Sequence, residues 1–138
     1  HGLSDLINKK SGVAGLVGGS SDMRDLENAV AAGDERAIMT LDVYNYRIKK
    51  YIGAYAAAMG GCDILVWTGG VGENQWATRR VVCENMEYMG MKIDVEKNEG
   101  MRGEEMVIST PDSKVTIIVV PTDEEYMIAA DTMDILGK

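Results

Sequence analysis

The chain has 138 residues, and 46% of them are hydrophobic, which is enough for one globular domain with a buried core. Its net charge of −8, from 22 acidic and 14 basic residues, disfavours nucleic acid as a partner, because both would be polyanions. No apolar run approaches the roughly 18 residues of a membrane helix. The two cysteines lack both a CxxC spacing and the density of a disulfide scaffold. We therefore expect a soluble, reduced, cytoplasmic protein without membrane partners.

The hydrophobic pattern predicts helices that alternate with strands. In chain order, the predicted elements are a helix at 4–10, a glycine-rich connection at 11–21, helices at 22–32 and 35–59, a strand at 64–67, a helix at 75–89, strands at 91–95, 106–109 and 115–120, and a helix at 123–136. The last two strands flank a Pro-Asp-Ser turn, which predicts that they pair antiparallel. The order indicates an α/β fold in which some strands are parallel.

Four strands make a small sheet, and the chain does not begin with methionine. We therefore expect it to start inside a longer polypeptide or after a removed tag, with the remaining strands upstream.

The glycine-rich stretch after the strand at 64–67 is the first candidate site. Glycine accepts positive φ and lets a ligand approach the backbone, so Gly69 to Asn74 is suited to a nucleotide or phosphate. It is not a Walker P-loop, since no Lys-Ser or Lys-Thr pair follows, and Gln75 breaks the dinucleotide pattern G-x-G-x-x-G. A glycine turn without a ligand remains an alternative, with Asn74 as the cap of the next helix.

The segment Ser20 to Arg24 is the second candidate. A carboxylate such as Asp22 can bind ribose hydroxyls, and the guanidinium of Arg24 can stack on a base or pair with phosphate. The alternative is structural: Ser21 or Asp22 caps a helix, and Arg24 pairs with Asp25 or Glu27.

The third candidate is the acidic turn at 121–125. Thr122 and Glu125 are predicted to form a capping box, which leaves Asp123 and Glu124 free as oxygen ligands for Mg²⁺. A solvated acidic turn is the alternative. Zinc sites and nucleophile–base pairs are not supported, because the only histidine is His1.

Taken together, five motifs resemble the C-terminal part of the acetate kinase (acetokinase) family. They are NKKSG at 8–12, SSDMR at 20–24, YRIKKYIG at 46–53, TGGVGEN at 68–74 and PTDEE at 121–125. The resemblance implies the actin-like ATPase (ribonuclease H-like) fold of the acetate and sugar kinase, Hsp70 and actin superfamily. Residues 1–138 would form the later half of its second domain, without the N-terminal domain and the first strands of the second.

The resemblance also implies a site and a reaction. The nucleotide-binding residues would be Asp22, Met23, Arg24, Gly70, Val71, Gly72, Glu73 and Asn74, and the magnesium ligand would be Glu124. Family members transfer phosphate reversibly between ATP and acetate, giving acetyl phosphate and ADP, and are generally homodimers. Their catalytic residues and acetate pocket lie upstream, so we expect this chain to contain no catalytic residue and to be inactive alone. Asp123 stands where the family usually has asparagine, which puts a further negative charge beside the metal site.

Two alternatives accompany this interpretation. The chain could be a non-catalytic fragment that dimerises or binds nucleotide weakly. It could also belong to a propionate kinase, because the residues that select the acyl group lie elsewhere in the family.

Overall fold

A computed structural model describes residues 2–137. The chain divides into two compact units between Gly61 and Cys62, and each unit is described by itself. The first unit is helical and the second contains the sheet.

Four helices make up the first unit: α1 (Gly2–Lys9), α2 (Gly12–Val17), α3 (Met23–Ala31) and α4 (Glu35–Met59). Both α2 and α3 pack against α4. The predicted bounds of α4 are confirmed, because both of its ends carry strong signals. Asp34 accepts hydrogen bonds from the backbone N–H groups of Arg36 (2.8 Å) and Ala37 (3.0 Å), and Gly60 ends the helix in a left-handed conformation.

Helix α2 corrects the prediction of a connection at 11–21. The glycines there argued against a helix, but Gly18 ends α2 at a φ of 76°, and the Arg36 Nε donates to the carbonyl oxygen of Leu16. A cation at the carbonyl end of a helix is favourable, so Arg36 of α4 stabilises α2, whose own sequence is a poor helix former.

The second unit is built on a three-stranded sheet with the order β1-β3-β2. Its strands are β1 (Ile64–Trp67), β2 (Met106–Val107) and β3 (Thr116–Val119). The strand β1 runs parallel to β3, with Leu65 opposite Ile117, and β2 pairs antiparallel with β3, with Met106 opposite Val119. Both the mixed α/β class and the antiparallel pair are thus confirmed. The buried apolar side chains of this unit are Trp67, Val82, Cys83, Met86, Met91, Met101, Ile108, Val115, Ile117 and Val119.

The helices of this unit are α5 (Gly69–Asn74), α6 (Trp76–Cys83), α7 (Val95–Asn98) and α8 (Glu124–Leu136), with one 3₁₀ turn at Glu87–Met89. The single helix predicted at 75–89 was wrong. It breaks after Cys83 because Glu84 is extended and Asn85 has a φ of 56°, a conformation that asparagine tolerates.

The strand predicted at 91–95 is reduced to two isolated bridges. Met91 pairs with Val115 and Ile93 pairs with Ser109. The segment then turns into α7, because the Asp94 carboxylate caps that helix by accepting from the backbone N–H of Lys97 at 3.1 Å.

Candidate functional site

The glycine-rich segment is itself a helix, α5, rather than a turn that precedes one. Gly69 begins it with a φ of 69°, which a residue with a side chain rarely adopts. Gly72 is buried, and a Cβ there would lie 3.0 Å from the carbonyl carbon of Trp67. The absence of a side chain at Gly72 therefore lets α5 pack directly on the end of β1.

The alternative in which Asn74 caps the following helix is wrong. The Nδ2 of Asn74 donates to the carbonyl oxygen of Gly70 at 3.0 Å, within α5. The cap position of α6 is Gln75, which makes no side-chain capping bond. The prediction failed because a separate helix, α5, starts at Gly69, six residues before the predicted start at residue 75, so Asn74 lies at the end of α5.

A buried arginine holds α5 in place. The Arg79 side chain is fully buried and donates to the carbonyl oxygens of Gly72 and Met101, each at 2.7 Å, and to Oδ1 of Asn98 at 2.9 Å. Burial lowers the pKa of Arg79. Asn98 is also buried, and its Nδ2 donates to the carbonyl oxygen of Trp76 at 2.9 Å. Hydrogen bonds of Arg79 and Asn98 therefore connect α5, α6 and the segment that follows α7.

Arg79 is not among the residues predicted for the site, although one signal for it is present in the sequence. Arg79 shares a helical face of α6 with Val82 and Cys83, which are both buried. An arginine on an apolar face points to a buried hydrogen-bonding role.

The acidic turn at 121–125 is fixed to α5 by a side-chain link. Both the backbone N–H and the hydroxyl of Thr122 donate to Oε1 of Glu73, each at 2.9 Å. The backbone N–H of Thr122, followed by its hydroxyl, lowers the pKa of Glu73.

This link corrects the predicted capping box. The hydroxyl of Thr122 is directed to Glu73, and the N-cap of α8 is Asp123, whose Oδ1 accepts from the backbone N–H of Tyr126 at 2.8 Å. Asp123 therefore has a capping role that the sequence reasoning assigned to its neighbour.

A cavity of about 350 Å³ opens between α5 and the start of α8. Its lining residues are Gly70, Glu73, Thr122, Asp123, Glu124 and Glu125. Within residues 2–137, the carboxylates of Glu124 and Glu125 make no hydrogen bond or ion pair, and no group of three or more His, Cys, Asp or Glu side chains is arranged for a metal. The cavity thus joins part of the glycine segment to two free carboxylates. Val71, Gly72 and Asn74 belong to the same helix as Gly70.

The remaining candidate residues, Asp22, Met23 and Arg24, lie at the start of α3 in the first unit. Of the two predicted cap residues, Ser21 and Asp22, the N-cap is Asp22, whose Oδ1 accepts from the backbone N–H of Arg24 at 2.9 Å. The Arg24 side chain pairs with Asp22 rather than with Asp25 or Glu27, through Nε to Oδ1 (3.1 Å) and Nη2 to Oδ2 (2.6 Å). The side-chain bond from Arg24 lowers the pKa of Asp22 to about 2.

Neither unit contains a helix that is both long and apolar enough to span a bilayer, as judged over residues 2–137. Among the described residues, Cys62 and Cys83 form no disulfide bond.

Comparison with known proteins identifies the family. A model described as the acetokinase family matches residues 1–130. Acetate kinase from Parabacteroides distasonis is 90% identical over 137 residues, which cover 99% of this chain and 34% of that protein. The crystal structure of Porphyromonas gingivalis acetate kinase aligns with a TM-score of 0.90 at 67% identity, covering 98% of this chain and 34% of that one.

A crystal structure of a propionate kinase from Francisella tularensis aligns with a TM-score of 0.80 at 33% identity, over 93% of this chain and 32% of that one. The chain spans about a third of the length of the curated relatives that it matches. The acetate kinase structures that it matches have the actin-like ATPase fold, and the α/β architecture described above is part of that fold. The chain belongs to the acetokinase family.

Proposed function

We propose that this chain provides the adenosine-binding side and one magnesium ligand of an acetate kinase. In that enzyme, the γ-phosphoryl group of ATP passes reversibly to acetate, giving acetyl phosphate and ADP. The observation that carries the proposal is the cavity between α5 and α8, which brings Gly70 and Glu73 next to the free carboxylate of Glu124. Phosphoryl transfer depends on positioning and charge neutralisation, and these residues are suited to both.

In the second unit, residues 70–74 would contact adenosine; in the first unit, Asp22, Met23 and Arg24 are proposed as nucleotide-binding residues on the family resemblance. Gly70 is exposed at the cavity, so a nucleoside can approach the backbone without a side chain in between. In the first unit, Asp22 holds the edge of the Arg24 guanidinium through two bonds. This leaves the planar face of Arg24 available for stacking on a base.

The magnesium ligand would be Glu124. Mg²⁺ prefers oxygen ligands and is typically held by one or two carboxylates together with substrate phosphates and water. Glu124 fits this pattern because it is exposed and has no partner among residues 2–137. When bound, Mg²⁺ neutralises phosphate charge during transfer.

The departure at Asp123 is compatible with this role. Its side chain caps α8 through Oδ1, a bond that the amide oxygen of asparagine can also accept. The usual asparagine and the aspartate found here therefore preserve the same turn, while aspartate adds a charge near Glu124.

We also propose that residues 1–138 are the later half of the second domain of a longer enzyme. The catalytic residues and the acetate pocket would lie outside this chain, which would be inactive by itself and work in the cytoplasm. A homodimer is supported by large apolar side chains that α4 leaves exposed, among them Met39, Tyr46, Tyr51, Tyr55 and Met59.

Two assays test the function. The longest reading frame that contains this chain should form acetyl phosphate from ATP and acetate in the presence of Mg²⁺, whereas the 138-residue chain alone should not. Turnover by the isolated chain above background would contradict its proposed inactivity. A longer polypeptide that used propionate much better than acetate would support the alternative of a propionate kinase, a class to which the chain is also structurally similar. A longer polypeptide inactive with both acids would contradict the kinase assignment and favour a non-catalytic, dimerising or weakly nucleotide-binding role.

A further inference from the structure

The link between Glu73 and Thr122 joins two parts of the chain that are 49 residues apart. A single carboxylate oxygen of Glu73 accepts both hydrogen bonds, from the backbone N–H and from the hydroxyl of Thr122. The carbonyl oxygen of Glu73 accepts a third bond, from the backbone N–H of Gly103 at 3.1 Å. Glu73 is therefore attached to neighbouring segments through both its side chain and its main chain.

Thr122 lies in the short connection that carries the proposed magnesium ligand. Pairing of β3 with β1 continues as far as the bond from the Val120 backbone N–H to the carbonyl oxygen of Trp67, at 2.9 Å. Beyond it, Asp123 bonds to Tyr126 within the start of α8. The Glu73 link is thus the side-chain hydrogen bond that fixes this connection to the rest of the unit, as far as residues 2–137 show.

We propose that Glu73 is a positioning residue that holds the acidic turn at 121–125 against α5 and so places the Glu124 carboxylate at the nucleotide. The inference rests on the proposed function and changes the role of one predicted nucleotide-binding residue. Glu73 acts through Thr122, while the nucleotide meets the backbone of α5.

The chemistry of the cavity supports this role over direct phosphate contact. A carboxylate close to phosphate oxygens is repelled by them, and Glu73 already accepts two hydrogen bonds from Thr122. Of the four carboxylates that line the cavity, Glu73 and Asp123 are engaged by protein donors, whereas Glu124 and Glu125 have no partner among residues 2–137. This arrangement leaves Glu124 available for a metal ion.

Four variants separate positioning from direct contact. Glu73→Ala removes the acceptor, whereas Glu73→Gln keeps an oxygen at the same place without its charge. Thr122→Val removes the hydroxyl donor, and Glu73→Ala with Thr122→Val removes both sides of the link. The matched control is Glu125→Ala, which removes a carboxylate from the same cavity but no bond to the turn.

The experiment measures kcat and the half-saturating Mg²⁺ concentration of the longest reading frame that contains the chain, at saturating acetate. We expect Glu73→Ala to raise that concentration by about tenfold, because loss of a residue that orients a metal ligand typically weakens metal binding by at least this factor. Glu73→Gln and Glu125→Ala should remain close to wild type, and the double variant should be no worse than Glu73→Ala alone, because both changes break one link. Equal losses in the Gln and Ala variants, or an additive double variant, would overturn the inference in favour of direct contact. A fall in kcat without a change in Mg²⁺ dependence would also overturn it.

A second readout on the same polypeptide, without nucleotide, separates this inference from the proposed function. Hydrogen exchange at the Thr122 amide should be faster in Glu73→Ala than in wild type or Glu125→Ala. If the wild-type protein transfers no phosphate, the proposed function fails, and the exchange rate still decides whether Glu73 holds the turn. Unchanged exchange in Glu73→Ala would overturn the inference whatever the activity.

Discussion

Replacing the buried Arg79 with methionine should strongly destabilise the second unit. Methionine is close in length and fills the space, but it donates no hydrogen bond. The substitution leaves the carbonyl oxygens of Gly72 and Met101 and Oδ1 of Asn98 without their present donor. Each buried acceptor that loses its partner costs about 1–3 kcal/mol, and the variant no longer has to bury a cation. We therefore expect a net loss of about 3 kcal/mol in the free energy of unfolding.

Urea unfolding followed by tryptophan fluorescence measures this loss. Trp67 and Trp76 both belong to the second unit, so the signal reports on the part of the chain that Arg79 stabilises. With a slope of about 1–3 kcal/mol per molar urea, the midpoint should fall by about 1–3 M.

The neighbouring residue offers a matched control. Arg80 is exposed and forms an ion pair with Glu84 one helical turn away, at 3.3 Å. Exposed pairs of this kind contribute about 0.3–0.5 kcal/mol, so Arg80→Met should unfold at nearly the wild-type midpoint. Similar midpoints for the Arg79 and Arg80 variants would refute the argument that the three buried bonds hold α5 in place.

Two further predictions concern α5 and the start of α3. Gly72→Ala should destabilise the second unit by about 1–3 kcal/mol, because its Cβ would meet the Trp67 carbonyl carbon at 3.0 Å. Gly70→Ala, with no atom within 4 Å of its Cβ, should be neutral or stabilising by urea unfolding; equal destabilisation by both would contradict this account of Gly72. The pKa of Asp22, about 2 against an ordinary 3.8, means that its stabilising contribution is present above about pH 4 and is lost as the pH falls through 2. In an NMR titration of the carboxyl carbon, Arg24→Ala should raise this pKa towards 3.8, and an unchanged midpoint would show that the side-chain bonds from Arg24 to Asp22 do not persist in solution.

The elements that could be predicted from the sequence are those with local signals at both ends. Asp34 and Gly60 bound α4, and the apolar run at 64–67 gives β1 its observed limits. Two of the helices that were not predicted, α2 and α5, depend on hydrogen-bond partners outside the helix itself. For α2 the partner is Arg36, and for α5 it is Arg79 together with the close packing of Gly72 on β1. Helix propensity alone argues against both, because both are short and rich in glycine.

The candidate site follows the same rule. Sequence motifs selected the glycine segment and the acidic turn separately, and the structure places both around one cavity. The bond between them was not predictable, because Thr122 had a plausible local partner in Glu125 and its actual partner, Glu73, is 49 residues away. Local capping rules consider only the residues at one helix end, whereas the hydroxyl of Thr122 donates to Glu73, which is distant in the sequence.

A calorimetric titration of this chain with ADP, in the presence and absence of Mg²⁺, tests most directly whether Glu124 is the magnesium ligand of a nucleotide half-site. We predict binding that Mg²⁺ strengthens, and a loss of affinity of about tenfold or more in Glu124→Gln, because a contact with a charged group contributes about 1.5–3 kcal/mol and 1.4 kcal/mol is a tenfold change. Glu125→Gln, which alters a neighbouring carboxylate of the same cavity, should bind like wild type. Binding that is absent, that ignores Mg²⁺, or that weakens equally in both variants would contradict the assignment of Glu124 as the magnesium ligand of a nucleotide half-site.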